Sequence, residues 1–280
     1  ATDSEVVILS PFNVDSSRDQ GYRATNTLAG SRINTDLKDV PSAISVVTAE
    51  FLNDVGAADV NDVLSYMVGA EGTGQYTAQE VQLGSYPSDN TAGNEQTANR
   101  VRGLAAADIA RNYFYSIANG NQRGVGFDTY NLDTVTISRG PNAILFGQGS
   151  AAGLINYSPM RANVNRNSGE LTFRLGSFSD YRASINVNRV LAENKFGVRV
   201  AALWSDREFQ QKPSFSKDRR IYTAFEYKPA PKTTIRANYE YIDKRSRTPN
   251  SFTPSDLVTP WQLAGSPTLE DPTPRGSPPR

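Results

Sequence analysis

The 280-residue sequence predicts an α+β domain followed by a run of antiparallel β-strands. Two observations carry this prediction. Residues 33–160 mix short strand patterns with two helix patterns, whereas from residue 168 onward apolar and polar residues alternate strictly. Hydrophobic residues make up 38% of the chain, enough for a sizeable core, so the chain is not expected to be disordered.

The composition excludes several classes of function. Lys plus Arg and Asp plus Glu both number 29, and a net charge of zero gives no reason to expect nucleic acid as a partner. The absence of Cys and His removes thiolate nucleophiles, disulfides, imidazole acid–base chemistry and the usual zinc and haem ligands. We therefore expect no metal site and no cofactor. No run of about 18 apolar residues occurs, so no transmembrane helix is predicted, and any export signal is expected to have been removed.

Strand and helix signals alternate in the first domain. Residues 43–48 predict a strand, Thr48 is placed to cap a helix, and Gly56 is placed to end it. A second helix is predicted from Asp59 to Gly69, because apolar residues recur there at helical spacing. Further strands are predicted at 100–102, 113–115, 133–138 and 154–157.

After residue 168 the pattern predicts five strands. Each is about 9 to 11 residues long, which is the length of a tilted β-strand that crosses a bilayer. The connections at 192–195 and 229–232 are short, whereas 206–219 and the chain after Lys244 are expected to be long. Outer-membrane barrels keep short turns on the periplasmic side and long loops outside, although the short connection at 176–180 departs from this rule. A soluble antiparallel sandwich alternates in the same way, so the strand pattern alone leaves that alternative open. Aromatic residues suited to interfacial girdles stand near strand ends, at Phe178, Tyr181, Trp204 and Tyr241.

Four motifs, in order, carry a family resemblance. They are LKDVPSAISVVT at 37–48, VRGL at 101–104, DTVTISRGP at 133–141 and GQGSAAGLIN at 147–156. Together they resemble the plug domain of TonB-dependent outer-membrane receptors, most closely the siderophore-receptor type. One departure is that the family's Asp-Gly-Val/Ile step is replaced by the segment at 113–120.

The resemblance implies an α+β plug domain followed by antiparallel strands of an incomplete transmembrane β-barrel in the outer membrane. The expected division is an N-terminal arm at 1–32, the plug at 33–160, and the first five strands and loops of a truncated barrel at 168–280. Family members close a barrel of many more strands around the plug, and five cannot close. The chain is therefore expected to be part of a longer protein.

The arm contains a candidate TonB box, an extended segment that adds a strand to a partner's sheet through main-chain hydrogen bonds. Its residues are Glu5, Val6, Val7, Ile8 and Leu9. The expected partners are therefore TonB, the inner-membrane energy complex, together with a small extracellular ligand such as a ferric siderophore and outer-membrane lipid.

The resemblance also assigns contacts between plug and barrel. They are expected at Arg102, Gly103, Arg139, Gly140 and Pro141. In the family such arginines face barrel-wall carboxylates, which here are expected in strands beyond this chain; the alternative, solvated edge charges, stays open. Structural glycines, expected to permit tight turns and close backbone approach, are Gly147, Gly149 and Gly153. Their spacing matches neither a phosphate loop nor a dinucleotide fingerprint.

Three functions are compatible with these observations. The favoured hypothesis is an energy-coupled importer, whose plug reports ligand binding by releasing the arm to TonB. A passive or structural outer-membrane barrel or adhesin, and a secreted β-rich binding module, are the alternatives. Paired carboxylates at Asp59 and Asp62, or Glu226 and Glu240, are interpreted as helix caps and lumen-facing polar residues, because the chain lacks the other groups of a hydrolase. No catalytic residue is expected, and the chain is not expected to be an enzyme.

Overall fold

The structure is a computed structural model in which two parts can be distinguished, the plug unit and the wall sheet. It describes residues 21–29, 33–72, 99–103, 107–115, 127–140, 150–210, 212–247, 258–263 and 265–266. We call the described residues up to Asn167 the plug unit, and the five long strands that follow the wall sheet.

The plug unit combines short strands with two short helices. Its elements are β1 (Asn26–Thr27), β2 (Thr35–Asp36), β3 (Ile44–Thr48), α1 (Ala49–Asp54), α2 (Val60–Leu64), β4 (Ala70–Gly72), β5 (Asn99–Val101), β6 (Asp108–Arg111), β7 (Phe114–Tyr115), β8 (Leu132–Arg139) and β9 (Gly153–Pro159). Single 3₁₀ turns occur at Leu37–Asp39 and Thr129–Asn131.

The main sheet of the plug unit has the order β3-β8-β9-β6-β7. β6 runs parallel to β9, and the other neighbours are antiparallel. β8 and β9 are its buried centre, and Val135, Ile137 and Ile155 are fully buried there. Two small antiparallel pairs, β1 with β2 and β4 with β5, stand beside this sheet. β6 was not predicted from the sequence, because Asp and Arg flank its only two apolar residues and give no period-2 signal.

Both predicted helices are present, and their caps are side-chain hydrogen bonds. The Thr48 hydroxyl accepts a bond from the Phe51 N–H at 3.3 Å, and Asp59 and Asp62 form a reciprocal capping box. The second helix ends at Leu64 instead of reaching Gly69. The residues after Leu64 form tighter turns of the 3₁₀ type. The N–H groups of Tyr66, Met67 and Ala70 bond the carbonyls three residues back instead of four.

One apolar cluster forms the core of the plug unit, and it joins the helices to the face of the main sheet. Its buried members lie between residues 47 and 157, and each removes apolar surface from water. They include Val47, Leu52, Val63, Leu64, Val101, Ile109, Leu132, Val135, Ile137 and Ile155. Domain boundaries at 33 and 160 stay a prediction, although this cluster lies inside them.

The wall sheet is an antiparallel meander of five strands in sequence order. They are β10 (Ser168–Gly176), β11 (Asp180–Ala192), β12 (Phe196–Glu208), β13 (Phe215–Ala230) and β14 (Thr233–Arg247). Direct partners in one row are Leu171, Ile185, Ala202, Ile221 and Tyr241, and these apolar residues share the outward face. The period-2 alternation therefore predicted the sheet and its two faces correctly.

The opposite face of the wall sheet covers the plug unit. Ala201, Leu203, Tyr222 and Ala224 are buried on this inward face, and so are several polar residues of neighbouring rows. An incomplete wall packed against an α+β unit is the architecture that the sequence predicted.

The connections differ from the prediction at one end of the sheet. Short turns at residues 193–195 and 231–232 are present as predicted. The expected long loop at 206–219 is wrong: β12 and β13 continue in register through Asp206 paired with Lys217, and only residues 209–214 connect them. Charged residues on both faces had hidden these strand ends from the apolar pattern. Beyond β14 lies a short helix, α3 (Val258–Leu263).

No helix among the described residues is long and apolar enough to cross a membrane.

Candidate functional site

The contacts between the plug unit and the inward face of the wall sheet, which we call the seam, are mostly polar. At its centre the Arg182 guanidinium of β11 donates two hydrogen bonds to the Asp128 carboxylate, at 2.8 and 2.5 Å. Both side chains are nearly buried, with 12% and 10% of their surfaces exposed. This bidentate geometry is the strongest arrangement available to an arginine and a carboxylate. The pair ties the plug unit to the second strand of the wall.

A hydrogen bond within its own segment positions the Asp128 carboxylate, and neighbouring arginines keep it ionised. Its carboxylate also accepts a bond from the Tyr130 N–H at 3.0 Å, which caps the 3₁₀ turn that follows. Burial alone would raise the pKa of Asp128, but Arg182, with a further contribution from Arg220, outweighs it and lowers the pKa. Asp128 is therefore ionised in the folded protein at neutral pH.

A second ion pair of opposite polarity crosses the seam at β14. Here the carboxylate belongs to the wall: Glu240 accepts a bond from the Arg111 guanidinium of β6 at 2.6 Å. It also accepts bonds from the Tyr130 hydroxyl at 2.8 Å and from the Asn131 amide at 3.0 Å. Three donors from two parts of the plug unit therefore converge on one wall carboxylate.

Apolar contacts fill the space between these two ion pairs. Tyr130 of the plug unit packs with Ala201, Leu203, Tyr222 and Ala224 of the wall. The alanines leave room for the two tyrosine rings, so the seam is close-packed at this point. Burial, followed by the charge of Glu240, raises the pKa of Tyr130, so its hydroxyl stays protonated and donates to Glu240.

The last residues of the plug unit, 160–167, form a strap along the wall. The Asn188 side-chain amide donates to the carbonyls of Asn163 at 2.9 Å and Arg166 at 2.7 Å. Its carbonyl oxygen accepts from the Asn163 N–H at 2.8 Å. At Gly197 a Cβ would lie 2.5 Å from the Asn163 carbonyl oxygen, so only glycine permits this approach.

The seam continues at the α1 side with weaker, more exposed bonds. Asn53 donates to the Glu170 carboxylate of β10 at 3.3 Å. The Arg174 guanidinium donates to the Gly56 carbonyl, just after α1, at 3.0 Å. These solvent-accessible bonds contribute little stability and break easily.

Water has space within the seam near the ends of β13 and β14. A cavity of about 230 Å³ is lined by residues that include Tyr113, Met160, Ala224, Glu226 and Arg236. Its polar lining and size suit several bound waters. Glu226 accepts a bond from Arg236 at 2.6 Å, so the wall's own charges are paired here. Glu226 and Glu240 are both in ion pairs on the inward face, as their interpretation as lumen-facing residues predicted.

The predicted arginine and glycine contacts lie together at another edge of the plug unit. Arg102 follows β5 in the left-handed region, with φ of 58°, and its N–H donates to the Gly69 carbonyl. Arg139 ends β8 and donates to the Ser45 hydroxyl at 3.0 Å, and burial lowers the pKa of its guanidinium. A Cβ at Gly140 would lie 3.2 Å from Arg102, and Gly103 also has a positive φ. Within the described residues no wall carboxylate bonds either arginine, and carboxylate partners in further strands stay a prediction.

Of the three predicted structural glycines, the structure describes Gly153. Gly153 has φ of 141°, and a Cβ there would lie 2.1 Å from the Ser138 carbonyl oxygen, so β9 can pass β8 this closely only with glycine. Gly147, Gly149 and Pro141 lie outside the described residues, as does the candidate TonB box at Glu5 to Leu9.

Sequence reasoning did not identify the residues that cross the seam. Arg111, Asp128, Tyr130 and Asn131 lie in or beside the segment where the family pattern is least clear. The strongest available signal was the Asp-Thr-Tyr-Asn run at 128–131, a polar turn placed directly before an apolar strand. Their partners lie 54 to 129 residues further along the chain, so no local pattern joins them.

Comparison with known proteins adds independent findings. The family of the TonB-dependent receptor plug domain matches residues 36–154. The ferrichrome outer membrane transporter/phage receptor of Escherichia coli K12 is 27% identical over 216 residues, which are 76% of this chain and 27% of that protein. The ferripyoverdine receptor of Pseudomonas aeruginosa is 24% identical over 235 residues, 81% of this chain and 26% of the receptor.

A solved structure resembles the whole arrangement. The pyoverdine outer membrane receptor of Pseudomonas aeruginosa PAO1 superposes with a TM-score of 0.70 at 20% identity, over 85% of this chain and 33% of that one. This likeness shows the fold. The chain spans about a quarter of the length of the curated relatives it matches. Residues 36–154 therefore match the plug domain of the TonB-dependent receptors, and the five strands that follow have the fold of part of the barrel wall in the pyoverdine receptor.

Proposed function

We propose that this chain is the gating part of an active importer, which binds a scarce extracellular ligand, a ferric siderophore, and admits it with energy supplied through TonB. The plug blocks the barrel until the ligand is bound. The arm then becomes available to TonB, which pulls on the plug.

The polar seam is the observation that carries this proposal. An apolar interface between plug and wall would hold a permanently closed barrel more firmly. Opening such an interface would cost free energy in proportion to the apolar area exposed to water. Here ion pairs and hydrogen bonds, such as Asp128 with Arg182 and Asn53 with Glu170, join the two surfaces. When the seam opens, water can replace these bonds, so their net contribution to holding it closed is modest even though they fix one geometry.

The siderophore assignment rests on the relatives. These relatives are named for ferrichrome and ferripyoverdine, and both compounds are iron-siderophore complexes. For this chain we propose the chemical class, a ferric siderophore, and neither of these two compounds in particular.

A covalent tether across the seam tests whether the plug must move. The chain contains no cysteine, so cysteines introduced at Asn53 and Glu170 are the only thiols in this part of the receptor. A short bismaleimide should join them, because the native side chains approach to 3.3 Å. In cells that express the complete receptor, the tether should abolish uptake of a ferric siderophore and leave surface binding intact.

Each single-cysteine variant, treated with the same reagent, is the matched control and should transport normally. A linker that contains a disulfide should restore uptake after reduction. Full uptake by the tethered receptor would contradict the moving plug and favour the passive barrel.

The arm provides a second test of energy coupling. Strand addition uses backbone groups, so Val7→Ala should be tolerated, whereas Val7→Pro removes a donor and fixes φ. Uptake should fall strongly only in the proline variant, with surface binding unchanged in both. Normal transport by Val7→Pro would show that the box lies elsewhere or is absent, and loss of binding would show that the arm is structural.

A further inference from the structure

Two residues ahead of β1 are fastened to the first helix of the plug unit. The Thr48 hydroxyl donates a hydrogen bond to the Gly21 carbonyl at 3.0 Å. The Tyr22 hydroxyl donates one to the Asp54 carboxylate at 2.7 Å. The Tyr22 ring also stands edge-on against Phe51, with the ring centres 5.2 Å apart. We call these three contacts the arm clamp, because they join the N-terminal arm to α1 and its N-cap.

The arm clamp grips α1 at both ends. Thr48 is the N-cap of this helix, and the hydroxyl that donates to Gly21 also accepts the Phe51 N–H at 3.3 Å. Asp54 is the last residue of the helix. A load applied to the chain at Gly21 and Tyr22 is therefore shared between the two ends of α1, so it acts on the helix as one body.

The chain enters the core of the plug unit immediately after the arm clamp. Gly21 has φ of 58°, a left-handed conformation that glycine adopts without strain, in the turn that precedes β1. Asn26 and Thr27 of β1 are 1% exposed, and the Leu37 N–H donates to the Thr25 carbonyl at 3.0 Å. A pull along the arm therefore meets the clamp before it meets the buried strand.

The helix held by the arm clamp also carries the weakest bonds of the seam. Asn53 of α1 donates to the Glu170 carboxylate, and the Gly56 carbonyl, just after α1, accepts from Arg174. Both bonds are exposed to solvent, so water replaces them readily. α1 thus joins the arm on one side and the most easily opened part of the wall contact on the other.

We propose that the arm clamp transmits the pull of TonB to α1, so that this helix leaves the wall while the buried pair of Asp128 and Arg182 still holds. The inference rests on the proposed function, which supplies the pull on the arm. While the clamp is closed, tension in the arm draws α1 as a folded unit away from β10, and the first gap in the seam opens there. Tyr22 and Thr48 are positioning residues in this step, because they act through the helix.

Loss of the arm clamp should change the order in which the plug unit yields. In the clamp variant, Tyr22→Ala with Thr48→Val, tension passes along the chain to β1, and residues 21–29 should unravel while α1 stays on the wall. Two hydrogen bonds and one ring contact are missing, so α1 should leave the wall at the first step about tenfold less often. Thr48→Val also removes the cap of α1, and a weakened helix alone would leave the wall more readily. The two explanations therefore predict changes of opposite sign.

Single-molecule pulling on the complete receptor tests this order. The receptor is fixed in a lipid nanodisc and pulled through a tag ahead of the arm, with a donor dye at Glu50→Cys and an acceptor dye at Gly169→Cys. Both positions are exposed and lie outside the arm clamp, and the chain has no cysteine of its own. In the wild type, energy transfer between α1 and β10 should be lost at the first extension step. In the clamp variant, the first step should leave energy transfer unchanged in most molecules.

Two controls separate the arm clamp from general weakening of the plug unit. Tyr66 also stands edge-on against Phe51, at 5.6 Å, and is 56% exposed like Tyr22, but it follows α2 and is not part of the arm. Tyr66→Ala should therefore behave like the wild type; behaviour like the clamp variant would reduce the effect to packing around Phe51 and overturn the proposal. The conservative pair Tyr22→Phe with Thr48→Ser keeps the ring contact and the capping hydroxyl, and it should restore the loss of energy transfer at the first step.

Three results would contradict the force path through the arm clamp. Energy transfer that persists through the first step in the wild type would show that α1 does not move first. Equal loss in the wild type and the clamp variant would show that the clamp carries no load, and earlier loss in the clamp variant would assign Thr48 to helix capping alone. Because the assay needs neither ligand nor TonB, each of these results would overturn this inference and leave the proposed import untouched.

Discussion

Neutralising Asp128 is the most direct perturbation of the seam. Asp128→Asn removes the charge that holds Arg182 but keeps the oxygen that accepts the Tyr130 N–H, so the 3₁₀ turn should remain capped. What is lost is the bidentate ion pair between two side chains that are each about nine-tenths buried. Leaving one buried charge without its partner costs about 3 kcal/mol.

That free energy sets the size of the expected effect on seam opening. A cost of about 3 kcal/mol raises the opening equilibrium roughly 100-fold. Amide hydrogen exchange at residues 127–131, measured by mass spectrometry on the complete receptor, should accelerate by that factor in Asp128→Asn. Exchange in the core strand β8, which is held by its neighbours β3 and β9, should change much less.

A second substitution separates the ion pair from other effects. Arg182→Gln should accelerate exchange in a similar way, whereas the double variant should be less impaired than the sum of both, because neither charge is then left alone. Additive effects, or unchanged exchange in Asp128→Asn, would refute the assigned role of this pair.

The same carboxylate predicts an acid dependence with a defined sign. Because Arg182 lowers the pKa of Asp128 in the folded protein, its contribution is complete above the unfolded pKa of about 3.9. It is lost as the pH falls through the lower folded value. In Asp128→Asn this part of the acid destabilisation should be absent, which thermal unfolding across an acid pH series would detect; identical pH profiles would contradict it.

Three further changes test other parts of the chain. Gly153→Ala should destabilise the plug by about 3 kcal/mol or more, because the new Cβ would meet the Ser138 carbonyl, whereas Gly169→Ala, in open space, should be nearly neutral in thermal unfolding. Arg139→Ala should loosen the plug in the complete receptor and admit small dyes and antibiotics; unchanged permeability and stability would remove its assigned role. The segment 33–160 expressed alone should be soluble and at least partly folded, because its core cluster is internal; cooperative folding of only the strands from 168 onward would contradict the domain division.

The accuracy of sequence-based prediction differed between local and distant features. The alternation of Leu171, Ile185 and Ile221 identified the wall strands and their outward face, because one residue type recurs at the period of the strand. Thr48 and Asp59 located the helix starts, because caps depend on neighbours within three residues. These features are local, and local physics suffices to predict them.

The contacts across the seam could not be predicted, because they join residues that are far apart in the sequence. Glu240 is one of many glutamates, and only the meeting of β6, the turn at 128–131 and β14 in space gives it three donors. The kind of contact, an arginine against a wall carboxylate, was expected from the resemblance. Its residues were not, because Arg111 was not recognised as part of a strand and the acidic Asp128 stands on the plug instead of the wall.

The strap at residues 160–167 has a consequence for assembly of the wall. Asn188 reaches the backbone of Asn163 and Arg166 only because it points inward from β11. If β11 paired one residue out of register, every side chain would change face, and Asn188 would point away from the strap. Val187 in its place offers neither donor nor acceptor, and Arg189 offers no acceptor for the Asn163 N–H. A misregistered β11 would therefore lose all three hydrogen bonds to the strap, so the strap favours the native alignment of this strand.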